Sequence, residues 1–144
     1  MKIFPILLLV LLSTSVTAAD IEVFGAEETR RENLPFSEAV AVGDLLFVSG
    51  QIGRAPGTPN LVTGGVQAET RQAMQNIITI LRKYGSDVKK IAKCTIFLRD
   101  MNEWALMNVA YLEALGDHRP ARSALGASGL ALGGSVEIEC IAAR

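Results

Sequence analysis

The sequence predicts an α+β domain in which two helices pack on one face of a mixed β-sheet. Three observations lead to this class. Short β-rich runs precede and follow two longer segments with a helical period. Strand-helix-strand units recur in a chain of only 144 residues, and such units place their helices on one side of a sheet. No internal repeat or low-complexity linker divides the chain, so one domain is predicted over residues 20–144.

Residues 1–19, "MKIFPILLLVLLSTSVTAA", have the pattern of a secretory signal peptide. Lys2 provides a positive start, residues 3–12 are apolar, and small residues allow cleavage after Ala18 or Ala19. The run is shorter than the ~20 apolar residues that a transmembrane helix needs, although an uncleaved anchor is the alternative. We therefore expect a periplasmic or secreted protein that has no membrane association after cleavage.

The first half of the domain reads mainly as strands. "IEVF" alternates like a strand and is followed by the polar connection "EETRRENLP". Next, "SEAVAV" and "LLFVSG" are β-rich runs separated by Gly43-Asp44, which predicts a hairpin with a tight turn. Residues 54–65 contain both Pro and Gly and predict a long loop.

Two helices and a strand follow the loop. From residue 67, apolar side chains recur at helical spacing before Gly85: Met74, Ile77, Ile78, Leu81 and Tyr84. "KCTIFLRD" then predicts a strand, and Asp100 or Asn102 can cap a second helix that runs to Leu115. The apolar stripe of that second helix consists of Trp104, Tyr111 and Leu115 and includes one carboxamide, Asn108. Leaving this group unpaired would cost ~1–3 kcal/mol, so Asn108 either bonds a loop backbone or faces a ligand.

The chain closes with "ARSAL", a glycine-rich connection, and the strand "SVEIECIAA". Glu137 and Glu139 lie on one side of this strand, opposite Val136, Ile138 and Cys140. That side of the sheet is therefore polar or forms an interface.

Charge and composition exclude several classes of site. The formal net charge is −1, and loss of Lys2 with residues 1–19 would make it −2, so a nucleic-acid partner is not expected. His118 is the only histidine, so the chain has too few cysteine and histidine ligands for an ordinary zinc site. A histidine-based triad would have to use His118 as its base, and nothing near His118 in the sequence supports that role. Cys94 and Cys140 each alternate in phase with apolar residues, and either a disulfide or two buried thiols fits this pattern.

Several separate motifs resemble the Rid family (YjgF-like) of enamine/imine deaminases. They are "PFSEAVAVGDLLFVSGQIG", "TRQAMQNIITILRKYGSDVKKIAKCTIFLRDMNEWALMNVAY", "RPARSAL" and "VEIECIA". Together they cover residues 35–142 in the family's order. The resemblance implies a chorismate-mutase-like fold assembled as a homotrimer, with the sheets facing inward and ligand clefts between subunits.

The resemblance also implies functional residues. Arg122 of "PARS" corresponds to the arginine that binds the carboxylate of a 2-imino acid or its enamine tautomer, and Glu137 to the glutamate that positions the hydrolytic water. Ser49 and Gly50 match the cleft segment, and Asn108 matches the asparagine of the second helix.

At two positions the chain departs from the family pattern. Phe36, at a substrate-binding position, replaces the tyrosine of many relatives, and Ala124 replaces a cysteine. We therefore expect a competent cleft with an altered substrate preference.

The expected function is that of a 2-iminobutanoate/2-iminopropanoate deaminase, which releases a 2-oxo acid and ammonia. An arginine can hold the substrate carboxylate through two parallel hydrogen bonds, and a partly buried glutamate with a raised pKa can act as the base. No metal or other cofactor is required.

A non-catalytic trimer that binds small carboxylates or protects other proteins is the rival. Ribonuclease activity fits the acidic chain poorly, and Arg122 could instead pair with Glu137 or Glu139 as a structural ion pair.

Overall fold

The computed structural model describes residues 18–144, which form a six-stranded mixed sheet with helices on one face. The helices and strands, in chain order, are β1 (Ile21–Phe24), α1 (Ala26–Arg31), β2 (Ala39–Val42), β3 (Leu45–Ile52), α2 (Gly65–Lys83), β4 (Ile91–Leu98), α3 (Trp104–Leu115), β5 (Ala121–Gly126) and β6 (Val136–Ala143). Short 3₁₀ turns precede β4, α3 and β6.

The strand order is β1-β2-β3-β6-β4-β5. Every neighbouring pair is antiparallel except β4 and β5, which are parallel and are joined through α3. A parallel pair needs such a crossover, because a tight hairpin can only reverse the chain. The last strand, β6, therefore lies in the middle of the sheet, and β5 lies at its edge.

The predicted α+β class is confirmed, with one correction to the helices. A third, short helix, α1, occupies the stretch that the sequence pattern predicts to be a polar connection. Gly25 starts it in a left-handed conformation (φ 72°), and acidic residues lie in its first turn and basic residues in its last, which suits the helix dipole. Six residues are too few to show a helical stripe.

The two long helices and one face of the sheet enclose a single core. From α2 it includes Met74, Ile77 and Leu81, while Ile78 of the predicted stripe is only partly buried. The Asp100 carboxylate accepts a hydrogen bond from the backbone N–H of Asn102, so Asp100 caps the 3₁₀ turn that leads into α3. This face of the sheet is called the helix side below.

The opposite face of the sheet, called the open face, is covered by none of the helices in residues 18–144. Four of its large apolar side chains are between 39% and 69% exposed: Ile21, Val23, Leu45 and Phe47. A contiguous apolar surface of this kind commonly marks an interface in soluble proteins.

Cys94 of β4 and Cys140 of β6 face each other across neighbouring strands and form a disulfide. Both are buried on the helix side. Of the two alternatives left open by the sequence, the structure therefore shows the disulfide. It joins two neighbouring interior strands of the sheet, β4 and β6.

The predicted signal peptide falls mostly on residues 1–17, which lie outside the described residues. From residue 18 onward, the structure contains no helix of the length and apolar character needed to span a bilayer.

Candidate functional site

Arg122 lies in the edge strand β5 and points to the helix side, where it contacts α3. Its guanidinium Nη1 donates a hydrogen bond to Oδ1 of Asn108, at 2.6 Å. The guanidinium carbon also lies 5.3 Å from the centre of the Trp104 ring and 5.4 Å from that of the Tyr111 ring. Residues 104, 108 and 111 are spaced by four and three positions, so they share one face of α3. These four residues are called the edge cluster.

The contact with Arg122 explains the polar residue on the apolar stripe of α3. Asn108 accepts a hydrogen bond from a side chain of the neighbouring strand, a partner that the sequence pattern did not suggest. The amide oxygen accepts from a charged donor, which is a stronger contact than one between two neutral groups. Asn108 therefore fixes one corner of the guanidinium.

A groove of about 270 Å³ adjoins the edge cluster, and Arg122 itself is exposed. The groove is lined by Asn108, Tyr111, Leu112, Leu115, Arg119, Pro120 and Arg122. The Tyr111 hydroxyl is buried and finds no hydrogen-bond partner within residues 18–144. Burial raises the pKa of Tyr111, and the nearby positive charge of Arg122 partly opposes this rise.

Glu137 lies in β6 on the open face, beside a glycine of β3. The β3–β6 register shifts between Val48 and Gln51, so the strand bulges at Ser49 and Gly50. A Cβ added at Gly50 would overlap the Glu137 carboxylate oxygen Oε1. The position of the Glu137 side chain therefore requires a glycine at residue 50.

Ser49 ties this bulge to the segment before β2. Its hydroxyl donates to the backbone oxygen of Ser37, at 2.6 Å, and its N–H donates to the backbone oxygen of Glu38. Phe36, directly before Ser37, is 49% exposed. Phe36, Ser49, Gly50 and Glu137 are called the face cluster.

The pKa of Glu137 is raised above its usual value. Partial burial is the main cause, because it disfavours the charged form, and the negative charge of Glu139 adds to it. The sequence-based expectation of a raised pKa at Glu137 is confirmed. A raised pKa is useful to a base that must exchange protons near neutral pH.

The two clusters lie on opposite faces of the sheet, with β4 between their strands. Arg122 is level with Cys94 and Cys140, and Glu137 is three residues from Cys140. The two positions are thus separated by roughly 10 Å across the strands and roughly 10 Å along them. The alternative of an Arg122 ion pair with Glu137 or Glu139 is wrong within one chain, and Arg122 forms no ion pair with any residue that the structure describes.

The sequence pattern placed Trp104 and Tyr111 on the stripe of α3 but did not connect them with Arg122. Their spacing around Asn108 was a usable signal, because a residue that contacts Asn108 from outside α3 also meets its neighbours on that face. Ala124, two residues after Arg122 in β5, is partly buried and packs against the core. The expected groups for binding and for water activation are both present, but in separate places.

A family model described as Endoribonuclease L-PSP matches residues 29–144. The chain belongs to the Rid (YjgF-like) family. A RutC family protein of Pyrococcus horikoshii is 39% identical over 84% of this chain and 96% of its own length. The mitochondrial protein mmf2 of Schizosaccharomyces pombe is 43% identical over 76% and 88%. The 2-iminobutanoate/2-iminopropanoate deaminase of Bos taurus is 40% identical over 76% and 80%.

Solved Rid-family structures share the fold. RidA of the Antarctic bacterium Psychrobacter superposes with a TM-score of 0.73 at 34% identity, covering 76% of this chain and 89% of that one. Escherichia coli TdcF, solved with bound serine, gives a TM-score of 0.72 at 33% identity, covering 76% and 88%. These matches confirm the chorismate-mutase-like architecture expected from the sequence motifs.

The comparisons correct the expectation of a signal peptide and of a periplasmic or secreted Rid protein. One relative is named as mitochondrial. The other relatives reported above are named by family or by deaminase activity, and neither name refers to secretion or the periplasm. The relatives therefore give no support to the interpretation of residues 1–19 as a secretory signal.

Proposed function

We propose that this Rid protein is a 2-iminobutanoate/2-iminopropanoate deaminase, which hydrolyses reactive imines and their enamine tautomers to 2-oxo acids and ammonia. The observation that carries the proposal is the exposed Arg122 guanidinium, held by Asn108 at one corner and bound to no carboxylate among the described residues. A carboxylate ligand can form two parallel hydrogen bonds with such a group. Relatives about 40% identical and named for this activity support the proposal.

The reaction needs the edge cluster of one copy beside the face cluster of another, so we extend the proposal to a homotrimer with sites between subunits. Three observations support this assembly. Arg122 and Glu137 face opposite sides of one sheet, the open face exposes large apolar side chains, and β5 is an edge strand. Covering the open face with other copies of the chain would bury its exposed side chains.

In the proposed mechanism, Arg122 holds the substrate carboxylate and so orients the neighbouring imine carbon. Glu137 accepts a proton from a water molecule as the water oxygen bonds to that carbon, and the C=N electron pair moves to nitrogen, which is protonated. The tetrahedral intermediate then forms C=O as the C–N bond breaks. The nitrogen receives the proton that Glu137 took from water and, as C=O forms, the hydroxyl proton by the same route, so ammonia leaves and Glu137 ends ionised as it began. Imine plus water is thereby converted to 2-oxo acid plus ammonia without a change in oxidation state.

Ser49 and Gly50 border this reaction centre in the proposal, and Asn108 and Phe36 shape its two ends. Because Phe36 carries no hydroxyl and Ala124 no thiol, neither can contribute the polar contact made by tyrosine or cysteine in many relatives. We therefore propose an altered preference among 2-imino acids. Assays with imines of different side-chain length would measure it.

The test is imine hydrolysis by the full chain, with 2-iminopropanoate generated in situ and release of the 2-oxo acid followed. We expect Arg122→Ala and Glu137→Gln each to lose about 10²-fold in kcat/KM, since a charge-assisted contact contributes roughly 1.5–3 kcal/mol and a general base contributes about 10²-fold or more. Arg71→Ala is the matched control, because Arg71 pairs with Glu113 on the exposed surface of the helices. A folded wild-type protein that accelerates hydrolysis of no 2-imino acid would overturn the deaminase proposal.

Co-expression of the two inactive variants tests the shared site. If each cleft takes Arg122 from one copy and Glu137 from another, about one quarter of the clefts in randomly mixed trimers contain both native residues. Mixed trimers should then recover roughly that fraction of wild-type activity. Mixed trimers that remain as inactive as the parent variants would contradict a site between subunits.

The same assay separates the rival functions. A non-catalytic carboxylate-binding trimer would bind 2-oxo acids through Arg122 but would be insensitive to Glu137→Gln. The family model's description points to RNA cleavage, but the net charge of −1 gives little electrostatic attraction for a phosphate backbone. If the protein cleaved RNA and did not turn over imines, the ribonuclease function would be favoured over the deaminase function.

A further inference from the structure

We propose that Trp104 and Tyr111 are positioning residues, which hold the Arg122 guanidinium in the orientation that receives a ligand carboxylate. This inference rests on the proposed function in one respect, the identity of the ligand. The two residues act on Arg122 and are not expected to touch the reacting atoms.

The contacts define the orientation of the guanidinium. The Arg122 guanidinium carbon lies 5.3 Å from the Trp104 ring centre and 5.4 Å from the Tyr111 ring centre, and both distances fall within the ~6 Å range of cation–π contacts. Asn108 adds a hydrogen bond of 2.6 Å to Nη1. Two aromatic rings and one acceptor restrain a side chain that is otherwise exposed and has four rotatable bonds.

The charge of the cluster points to an anionic ligand. The ring faces and the Asn108 amide are neutral, so they orient the guanidinium without cancelling its charge. A carboxylate at residue 108 would also accept the hydrogen bond, but it would neutralise Arg122. No ion pair within the described chain, residues 18–144, involves Arg122. The arrangement therefore keeps a positive charge fixed and available to a carboxylate.

The aromatic contacts matter because an unrestrained arginine loses rotamer freedom on binding. Arginine carries ~2 kcal/mol of side-chain rotamer entropy, and a guanidinium that is already oriented loses less of it for each hydrogen bond that forms. Removal of a ring should therefore weaken carboxylate binding and raise KM. The chemical step, which depends on Glu137 and water, should change less.

The experiment is a double-mutant cycle on the full chain. Trp104→Leu should raise both KM for the imine and Kd for 2-oxobutanoate, measured by calorimetry, about fivefold to tenfold. Trp104→Phe should restore most of the loss, because it keeps an aromatic face. In an Arg122→Ala background, Trp104→Leu should cause no further loss. A purely structural role for Trp104 would instead give losses that multiply in the double variant and that Phe does not selectively rescue.

Tyr111 is tested by the pair Tyr111→Phe and Tyr111→Leu. Tyr111→Phe keeps the ring and should bind 2-oxobutanoate as wild type does, whereas Tyr111→Leu should show the same several-fold loss as Trp104→Leu. Tyr111 is buried in the core, so Tyr111→Leu is compared only if its thermal unfolding remains cooperative. If it does not fold, the Trp104 cycle decides the inference.

Tryptophan fluorescence gives an independent measurement, because Trp104 is the only tryptophan in the chain. Arg122→Ala should change its emission in the ligand-free protein, and the control Arg71→Ala should not. Unchanged emission in Arg122→Ala, or unchanged 2-oxobutanoate affinity in Trp104→Leu, would overturn the inference.

The outcomes also separate this inference from the proposed function. Wild-type protein that binds 2-oxobutanoate in a Trp104-dependent way, but hydrolyses no imine, would remove the deaminase proposal and leave the positioning role. If the wild type hydrolyses imines and Trp104→Leu has the same KM and Kd as wild type, the positioning role is removed and the deaminase proposal remains. A folded wild type that neither binds 2-oxobutanoate nor turns over imines would remove both.

Discussion

The edge cluster and the face cluster each contain one charged side chain, but the surroundings of the two side chains differ. At the edge cluster the Arg122 guanidinium is exposed, and burial falls on a neutral neighbour, Tyr111. At the face cluster, partial burial falls on the charged group itself, and the pKa of Glu137 is raised. One charge is oriented by its contacts, while the other is destabilised by its surroundings.

This difference corresponds to two kinds of chemical work. A group that binds a carboxylate must keep its charge and its direction, which aromatic rings and an amide oxygen can provide. A group that exchanges a proton must be able to exist in both forms, which partial burial promotes in a carboxylate. The contrast predicts that the edge cluster is sensitive to side-chain shape and the face cluster to backbone space and pH.

Among the variants that test this contrast, the largest expected effect comes from filling the space beside Glu137. In Gly50→Ala, the new methyl group would overlap the Glu137 carboxylate and force that side chain to rotate away. Because misplacement of a catalytic group by about 1 Å can cost 10²-fold, we expect imine turnover to fall roughly 10-fold to 100-fold. Carboxylate binding at Arg122 should change little, and steady-state kinetics would show the loss mainly in kcat.

Gly129→Ala is the matched control for this variant. Gly129 has no heavy atom within 4 Å of the position of an added Cβ, and its backbone is not in the left-handed region. It should retain wild-type turnover. If Gly50→Ala also retained it in a folded protein, the exact position of Glu137 would not matter and the face cluster would lose its proposed role.

Much of the fold could be predicted from local patterns. The hairpin at Gly43-Asp44, the two long helices and the alternation around Glu137 all follow from periods of two or 3.6 residues, which the chain shows directly. α1 could not be predicted in this way, because its six residues contain one buried position, Thr29, and therefore no repeating stripe.

These local patterns could not predict which strands are neighbours in the sheet. The phase of Cys94 and Cys140 indicated that both are buried, but a disulfide also required β4 and β6 to be neighbours, and strand order is not encoded in a local period. The same limit applies to the candidate site. The motifs supplied Arg122 and Glu137, yet their placement on opposite faces depends on the strand register, which sets Arg122 level with Cys94 and Cys140 and leaves Glu137 an odd number of residues away.

A smaller effect should appear in the pH dependence of stability. The pKa of Glu137 is raised in the folded protein, so folding disfavours its charged form. The resulting loss of stability is absent below the usual glutamate pKa and grows as pH rises through the raised pKa. Glu137→Gln should therefore unfold at a higher temperature than wild type near neutral pH, and the difference should vanish in acid.

Glu113→Gln should change the unfolding temperature in the opposite direction near neutral pH. The hydrogen bond and charge of Arg71 lower the pKa of Glu113, so its carboxylate favours folding at neutral pH and loses that contribution as pH falls. Thermal unfolding of both variants across pH should show one difference of each sign. A Glu137→Gln protein that is less stable than wild type at neutral pH would mean that the carboxylate has a stabilising partner.

The smallest expected effect concerns the edge cluster. Tyr111→Phe removes a buried hydroxyl that has no partner within the described part of the chain, and an unpaired buried group of this kind costs ~1–3 kcal/mol. The ring that contacts Arg122 remains. We therefore expect unfolding at a temperature a few degrees higher, with imine turnover close to that of wild type.

The chain's other tyrosine is the matched control. The Tyr84 hydroxyl donates to Glu38 Oε2, at 2.5 Å, so Tyr84→Phe deletes a hydrogen bond to a charged group and should destabilise the fold. Opposite signs for the two Tyr→Phe variants would show that the edge cluster uses Tyr111 for its aromatic face alone. If Tyr111→Phe were instead destabilised or inactive, its hydroxyl would have a partner in the assembled protein or in the bound substrate, and the cluster would orient Arg122 by more than stacking.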